Sequence, residues 1–208
     1  MKKIMFNDTY GLTAAVLNGS KTMTRRIIPL TDADEEYLDQ AFDWDLRESV
    51  ILDRYAQYQV GEVVAVAQRY NDLCNCQAFY DALAKADPTF PLECIKYEKG
   101  CSNKMFVKSE WMPNRIRFTG RKIERLRSIS LEDCLKEGVK IDPITGMYYV
   151  PNLYAHRKTK YSAGPTLFGD QAGWAYYNLC KKLRMVLGDS ANPWVIAYSF
   201  LLQKGAEA

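Results

Sequence analysis

Hydrophobic positions change their period several times along this chain, and each change marks an element. Lys2 to Phe6 reads as a short apolar strand, and Leu12, Val16 and Leu17 then share one face of a helix whose start can be capped by Asp8 or Thr9. Gly19 supplies the left-handed residue that stops this helix, so Ser20 to Arg26 leave it in a tight turn. After a turn at Tyr58 to Glu62, the run Val63 to Ala67 is continuously apolar, as a buried strand is. From Arg115 the pattern alternates: Ile116 and Phe118 lie on one face, Arg115 and Arg117 on the other, and Gly120 suggests a bulge before Ile123 and Leu126. Ser130 with Asp133 is a capping box that opens a short helix through Glu137, closed by Gly138. Residues 140–165, including the sole histidine, His156, are turn-rich. Phe168, Ala172, Ala175, Leu179, Leu183 and Val186 recur at helical spacing, and Asn192-Pro193 leads into a last strand, Trp194 to Leu201.

Two stretches break the pattern. Residues 31–56 are acidic and irregularly periodic, a loop with one or two short helices, and residues 71–105 have little period; both read as insertions. Short strands with intervening helices and no βαβ alternation predict an α+β chain built on a mixed β-barrel, closed partly by the last strand. A length of 208 residues suits one domain, residues 1–208, burying about two-thirds of its unfolded surface.

Composition narrows the class. With 48% hydrophobic and 25% charged residues the chain is an ordinary globular protein. No apolar run reaches the roughly 20 residues of a membrane span, and the start turns polar too soon for a signal peptide, so a cytoplasmic location without a membrane partner is expected. In that compartment the six cysteines are free thiols rather than a disulfide framework. Cys74, Cys76, Cys94 and Cys101 could surround a zinc ion, but the C-x-C spacing and the lack of a nearby histidine argue against it; Cys134 and Cys180 read as core. No metal and no cofactor is expected, and the absence of a G-x-G-x-x-G or P-loop removes dinucleotide and nucleoside triphosphate binding.

A net charge of +3 is too small to argue for nucleic acid by itself. Distribution says more. Basic residues bunch at Lys21 to Arg26, at Arg115 to Arg127 and at Arg157 to Lys160, while acidic residues concentrate in Asp32 to Asp53. Three basic clusters around one barrel can track a phosphate chain, although a basic cluster is more often a solvated face.

The chemistry centres on Gly19-Ser20-Lys21-Thr22-Met23-Thr24-Arg25-Arg26, where an ammonium, hydroxyls and guanidinium groups follow a helix end. Gly19-x-Lys21-x-x-Thr24-x-Arg26 resembles the signature of the ASCH family, particularly its phage and bacterial members. Tyr58-x-Val60-Gly61-Glu62, Trp111-Met112-Pro113 with Arg115-Ile116, Glu124 to Gly138, and Asn192-Pro193-Trp194-Val195-Ile196 resemble further family segments in the right order. The resemblance implies a PUA-like barrel whose groove, lined by the Lys21–Arg26 loop and Glu137, receives RNA or a modified nucleoside. One branch of the family hydrolyses N4-acetylcytidine with a Lys, a Thr and a Glu, and the matching residues here are Lys21, Thr24 and Glu137. In that role Lys21, its pKa lowered by burial, activates Thr24, and Glu137 orients Lys21, shuttles protons or activates water. Arg25 or Arg26 then holds an oxyanion or a phosphate.

Gln68 departs from the pattern, since many phage-type relatives carry Glu there, and a glutamine keeps hydrogen bonding but loses any base function. Tyr70 and Trp111 are candidates to stack a base, and Arg115 to contact a ligand. His156 has no catalytic role in this reading, and a nuclease lacks the necessary carboxylate cluster or histidine. Residues three apart point to opposite faces of a strand, so Lys21 and Thr24 can share a pocket only by flanking a turn. The reading therefore depends on the loop after the first helix meeting the end of the helix opened by Ser130.

Overall fold

The computed structural model describes residues 1–40, 43–151, 167–169, 171–183 and 191–203. His156, the basic run Arg157 to Lys160 and Val186 lie outside the described residues. The architecture is α+β. A five-stranded mixed sheet runs in the order β1-β3-β4-β8-β2. Its strands are β1 (Lys3–Ile4), β2 (Met23–Ile27), β3 (Val63–Val66), β4 (Arg115–Arg125) and β8 (Trp194–Gln203). β1 is parallel to β3 and the remaining pairs are antiparallel.

Where the sequence predicts a barrel, the hydrogen-bonded ladder is open. Among the described residues, β1 and β2 are its two edges and do not pair with each other. The segment just past β1 nevertheless shares one cavity with β2 through Met5 and Phe6, and an Arg26 guanidinium N–H donates to the Met5 carbonyl oxygen across the gap, at 3.3 Å. The last strand is central rather than terminal, joining β4 to β2.

β3 explains its own unbroken apolar run. Val64 and Val66 face the main core, whereas Ala65 and Ala67 face a second, smaller one. The main core packs Ile4, Phe6, Leu12 and Val16 against Ile116, Phe118, Val195, Tyr198 and Phe200. Tyr58 stacks on Phe118 with ring centroids 4.5 Å apart. On β4 the register shifts between Phe118 and Gly120, the bulge that Gly120 announces.

Helix α1 (Leu12–Leu17) starts from Gly11, at φ +64°, without a side-chain cap. Asp8 instead accepts a 2.5 Å hydrogen bond from the Thr13 hydroxyl. Gly19, at φ +80°, ends the turn that follows. The acidic stretch forms two helices, α2 (Asp32–Asp39), with a Thr31/Asp34 capping box, and α3 (Trp44–Tyr55). Leu38, Ile51 and Leu52 seat them on the main core. Their carboxylates meet the basic strand: Arg121 pairs with Asp53, and Arg125 with Asp39. Much of the basic cluster on β4 is thus neutralised within the fold rather than offered to a phosphate chain.

Residues 71–105 hold helix α4 (Gln77–Ala86) and a series of 3-10 turns around the second core of Tyr70, Phe79, Leu83, Trp111 and Met112. Helix α5 (Leu131–Lys136) is capped by the Ser130 hydroxyl, which accepts from the Asp133 N–H at 3.1 Å. Three short strands, β5 (Lys140–Ile141), β6 (Tyr148–Val150) and β7 (Leu167–Gly169), form a second sheet that a turn-rich reading of residues 140–165 misses. Phe168 accordingly belongs to β7, and helix α6 (Ala172–Lys182) begins after it. No helix among the described residues is long and apolar enough to cross a membrane.

Candidate functional site

The loop after α1 and the end of α5 do meet. The Lys21 N–H donates to the Ala15 carbonyl, and the next residue, Thr22, donates its N–H to the Lys136 carbonyl, both at 2.9 Å. Strand β2 begins only at Met23, so irregular backbone between Lys21 and Thr24 lets both side chains border one cavity of about 560 Å³. That volume lies within the roughly 300–1,000 Å³ typical of small-molecule sites.

Glu137 closes α5 as its C-terminal cap, and Gly138, at φ +101°, turns the chain away behind it. The carboxylate is committed on both oxygens. Its Oε2 accepts from Lys21 Nζ at 2.6 Å and its Oε1 from an Arg25 guanidinium N–H at 3.0 Å. Lys21 Nζ also donates to the Glu137 carbonyl at 2.8 Å. Arg25 spreads further, donating to Glu124 at 2.7 Å and to Asp133 at 2.9 Å, and Asp133 in turn accepts from Lys122 at 2.9 Å. Lys21, Arg25 and Glu137 are 2%, 2% and 3% exposed, so these charges stand out of water and depend on one another.

Electrostatics follow from that arrangement. Burial lowers the Lys21 pKa, and the Glu137 carboxylate only partly opposes it. For Arg25 the same burial cost is outweighed by Glu137 and its other anionic neighbours, and the guanidinium is held firmly charged. Burial pushes the Tyr176 phenol well above its ordinary value, with Glu137 adding to the effect. Burial likewise raises the Cys180 thiol to about 12.

Thr24 differs from its neighbours. It is 6% exposed and borders the cavity, yet its hydroxyl makes no hydrogen bond to a protein group among the described residues. A polar group so placed is available to a ligand. Around it the wall is apolar, from Phe6, Leu12, Leu179 and Leu183, and the rim is cationic, from Arg26, Arg69 and Lys104. Asp8 is the other carboxylate of the lining besides Glu137, and Lys104 bonds it at 2.7 Å.

Lys21, Thr24, Arg25, Arg26 and Glu137 are thus brought together. Four other candidates are not. Tyr70 and Trp111 are buried in the second core, where their rings pack 5.3 Å apart and the Tyr70 hydroxyl accepts from the Lys108 N–H at 2.8 Å. Neither ring is free to stack a base. Gln68 does not border the cavity, and its side-chain carbonyl accepts from Asn114 at 2.9 Å. Arg115 is exposed on a different hollow, beside Lys85 and Glu110.

Sequence reasoning missed Arg69, Lys104, Tyr176 and Cys180 as lining residues and took Asp8 for a helix cap. An Asn-Asp pair after an apolar strand was the available signal for Asp8; the others come from segments remote in the chain. The four cysteines weighed for zinc do not converge. Cys74 is exposed, the buried Cys101 thiol donates to the Ile95 carbonyl, and no three potential ligands gather among the described residues.

No family model, curated protein or solved structure matches the chain.

Proposed function

We propose that this chain is an ASCH-type, PUA-like domain that binds RNA or a modified nucleoside, with the base held in the cavity bordered by Lys21, Thr24, Arg25 and Glu137. The observation that carries the reading is the Thr24 hydroxyl, without a protein partner among the described residues, beside a buried Lys21–Glu137–Arg25 network in a cavity with an apolar wall. An aromatic heterocycle matches such a lining: its faces suit Phe6 and Leu179, and its edge suits a hydroxyl and a fixed charge array. Arg26 suits a phosphate at the mouth, whereas Lys104 is held by Phe6, Asp8 and Thr13, and Arg69 by Asp72. The Arg26 bond to the Met5 carbonyl, made between the two open edges of the sheet, supports the PUA-like part of the proposal. Because both Glu137 oxygens are occupied by cations, the carboxylate acts as a structural anchor for the donors around it.

Calorimetric titration of the intact protein at low salt with cytidine, N4-acetylcytidine and single-stranded RNA tests the reading. Binding is expected to weaken about tenfold in Thr24→Val, which keeps shape and removes the hydroxyl, consistent with roughly 1–1.5 kcal/mol for one hydrogen bond. No binding of any of the three by the wild-type protein rejects the proposal.

A second reading is favoured by one observation, the opening of Lys21 and Thr24 onto the same cavity, with burial lowering the Lys21 pKa. In this reading Lys21 first passes a proton to Glu137, 2.6 Å away, and its amine then takes the Thr24 hydroxyl proton as Oγ adds to the acyl carbonyl of N4-acetylcytidine. Collapse then breaks the C–N bond, with the Lys21 ammonium returning the proton to the departing cytidine nitrogen, and water hydrolyses the acyl-threonine to acetate. Chromatography of the incubated nucleoside decides it. Cytidine release lost in both Thr24→Val and Lys21→Met supports hydrolysis, and intact N4-acetylcytidine after prolonged incubation eliminates it.

A further inference from the structure

The stretch 71–105 reaches the mouth of the cavity through Lys104, whose ammonium bonds the Phe6 carbonyl, Asp8 and the Thr13 hydroxyl. Beyond that anchor the surface has an unusual make-up. Phe106 is 51% exposed and Tyr97 77% exposed, although the adjacent Val107 is buried in the second core. Each ring carries a lysine rather than a carboxylate. Lys99 Nζ lies 5.7 Å from the Phe106 ring centre, and Lys96 Nζ lies 5.0 Å from that of Tyr97. Between residues 92 and 108 the cations are Lys96, Lys99, Lys104 and Lys108, and the carboxylates are Glu93 and Glu98. Lys3 fixes the turn from behind, donating to the Met105 and Val107 carbonyls at 2.6 Å. The rings are therefore presented on a braced surface.

We propose that Lys104, Phe106, Lys99, Tyr97 and Lys96 form a stacking path for the nucleotides next to the one in the cavity, so that the protein takes a single-stranded oligonucleotide rather than a free nucleoside. The inference rests on the cavity reading above. Exposed rings interleaved with lysines meet the two demands of a single strand: π faces for the bases and positive charge for the phosphates. Lys104, in the cavity lining, shares a turn with Phe106, so the path starts at the cavity mouth. A protein partner for the same apolar groups would have to desolvate the Lys96 and Lys99 ammonium groups at its edge, a poorer match.

Fluorescence anisotropy of the full chain separates the possibilities, with uridylate, cytidylate and adenylate hexanucleotides set against the matching nucleoside monophosphates. The best hexamer is expected to bind at least tenfold more tightly than its monophosphate, with the steeper salt dependence. Phe106→Ala and Tyr97→Ala, both at exposed positions, are each expected to weaken the hexamer by roughly five- to hundredfold, the range of one base stack, and to leave the monophosphate unchanged. Equal affinity for hexamer and monophosphate, or variants indistinguishable from wild type on the hexamer, overturns the path and leaves the cavity reading standing. Hexamer binding that responds to Phe106→Ala but not to Thr24→Val upholds the path and removes the cavity reading. Self-association abolished by Phe106→Ala, with hexamer affinity unchanged, assigns the surface to a second copy of the chain and overturns the proposal.

Discussion

Replacing Glu137 with glutamine removes one charge and almost no volume from the buried network, so its effect isolates electrostatics from packing. Arg25 keeps Glu124 and Asp133, but among the described residues Lys21 has Glu137 as its sole carboxylate partner. A unit pair at 4 Å is worth about 4 kcal/mol at an effective dielectric near 20, and Lys21 Nζ sits 2.6 Å from Oε2. Breaking such a buried pair from one side costs about 3–5 kcal/mol, and the retained amide oxygen places Glu137→Gln near about 3. The pH dependence has a definite sign. The folded pKa of Lys21 lies below the ordinary 10.5, so between those two values the unfolded chain holds more protons and stability rises with pH. Removing Glu137 deletes contributions that raise this pKa, so the window extends downward. The variant's deficit should then shrink as pH climbs through it, by at most about 1.4 kcal/mol per pH unit. Urea unfolding at a series of pH values measures both quantities. In Lys21→Met/Glu137→Gln the orphaned ammonium is gone, and more than half of the lost stability should return. A loss below about 1 kcal/mol for the single variant, or no recovery in the double, refutes the account of Lys21 and Glu137 as a mutually dependent buried pair.

Two further outcomes check other parts of the fold. A Cβ at Gly100 would lie 2.8 Å from Tyr70 Cζ, in a ring held between Phe79 and Trp111, so Gly100→Ala should lower stability by about 1–3 kcal/mol in chemical denaturation. Burial raises the Cys134 and Cys180 thiols to about 11 and about 12, whereas Cys74 is exposed. At pH 8 a disulfide reagent should modify Cys74 promptly and the two buried thiols only after unfolding, and prompt native-state modification of Cys180 would contradict its placement.

Local chemistry was the legible part of this sequence. Leu12 with Val16, the Gly19 stop, the alternation around Ile116 and Phe118, and the Ser130 cap each depend on neighbours within a few residues, and each takes the form its pattern implies. Lys21, Thr24 and Glu137 were legible as a set through resemblance, and their meeting is made by hydrogen bonds between residues more than a hundred positions apart. What failed was long-range assignment. Tyr70 and Trp111 have the composition of a stacking platform, but aromatic character does not tell a second core from a groove. The cations of β4 looked available because nothing local reveals that Asp39 and Asp53 fold back onto them. Strands of two or three residues, as in β5 to β7, are too short to establish a period.

The interior position of β8, between β4 and β2, governs when the cavity can form. Among the described residues, strand β2, which carries Thr24 and Arg25, joins the sheet through β8 and no other strand. A nascent chain still short of residue 194 can collapse around β1, β3 and β4, but it has no template on which to lay β2. The cavity should therefore take shape late in synthesis, and the most separated pairing in the sheet should limit how fast the domain matures.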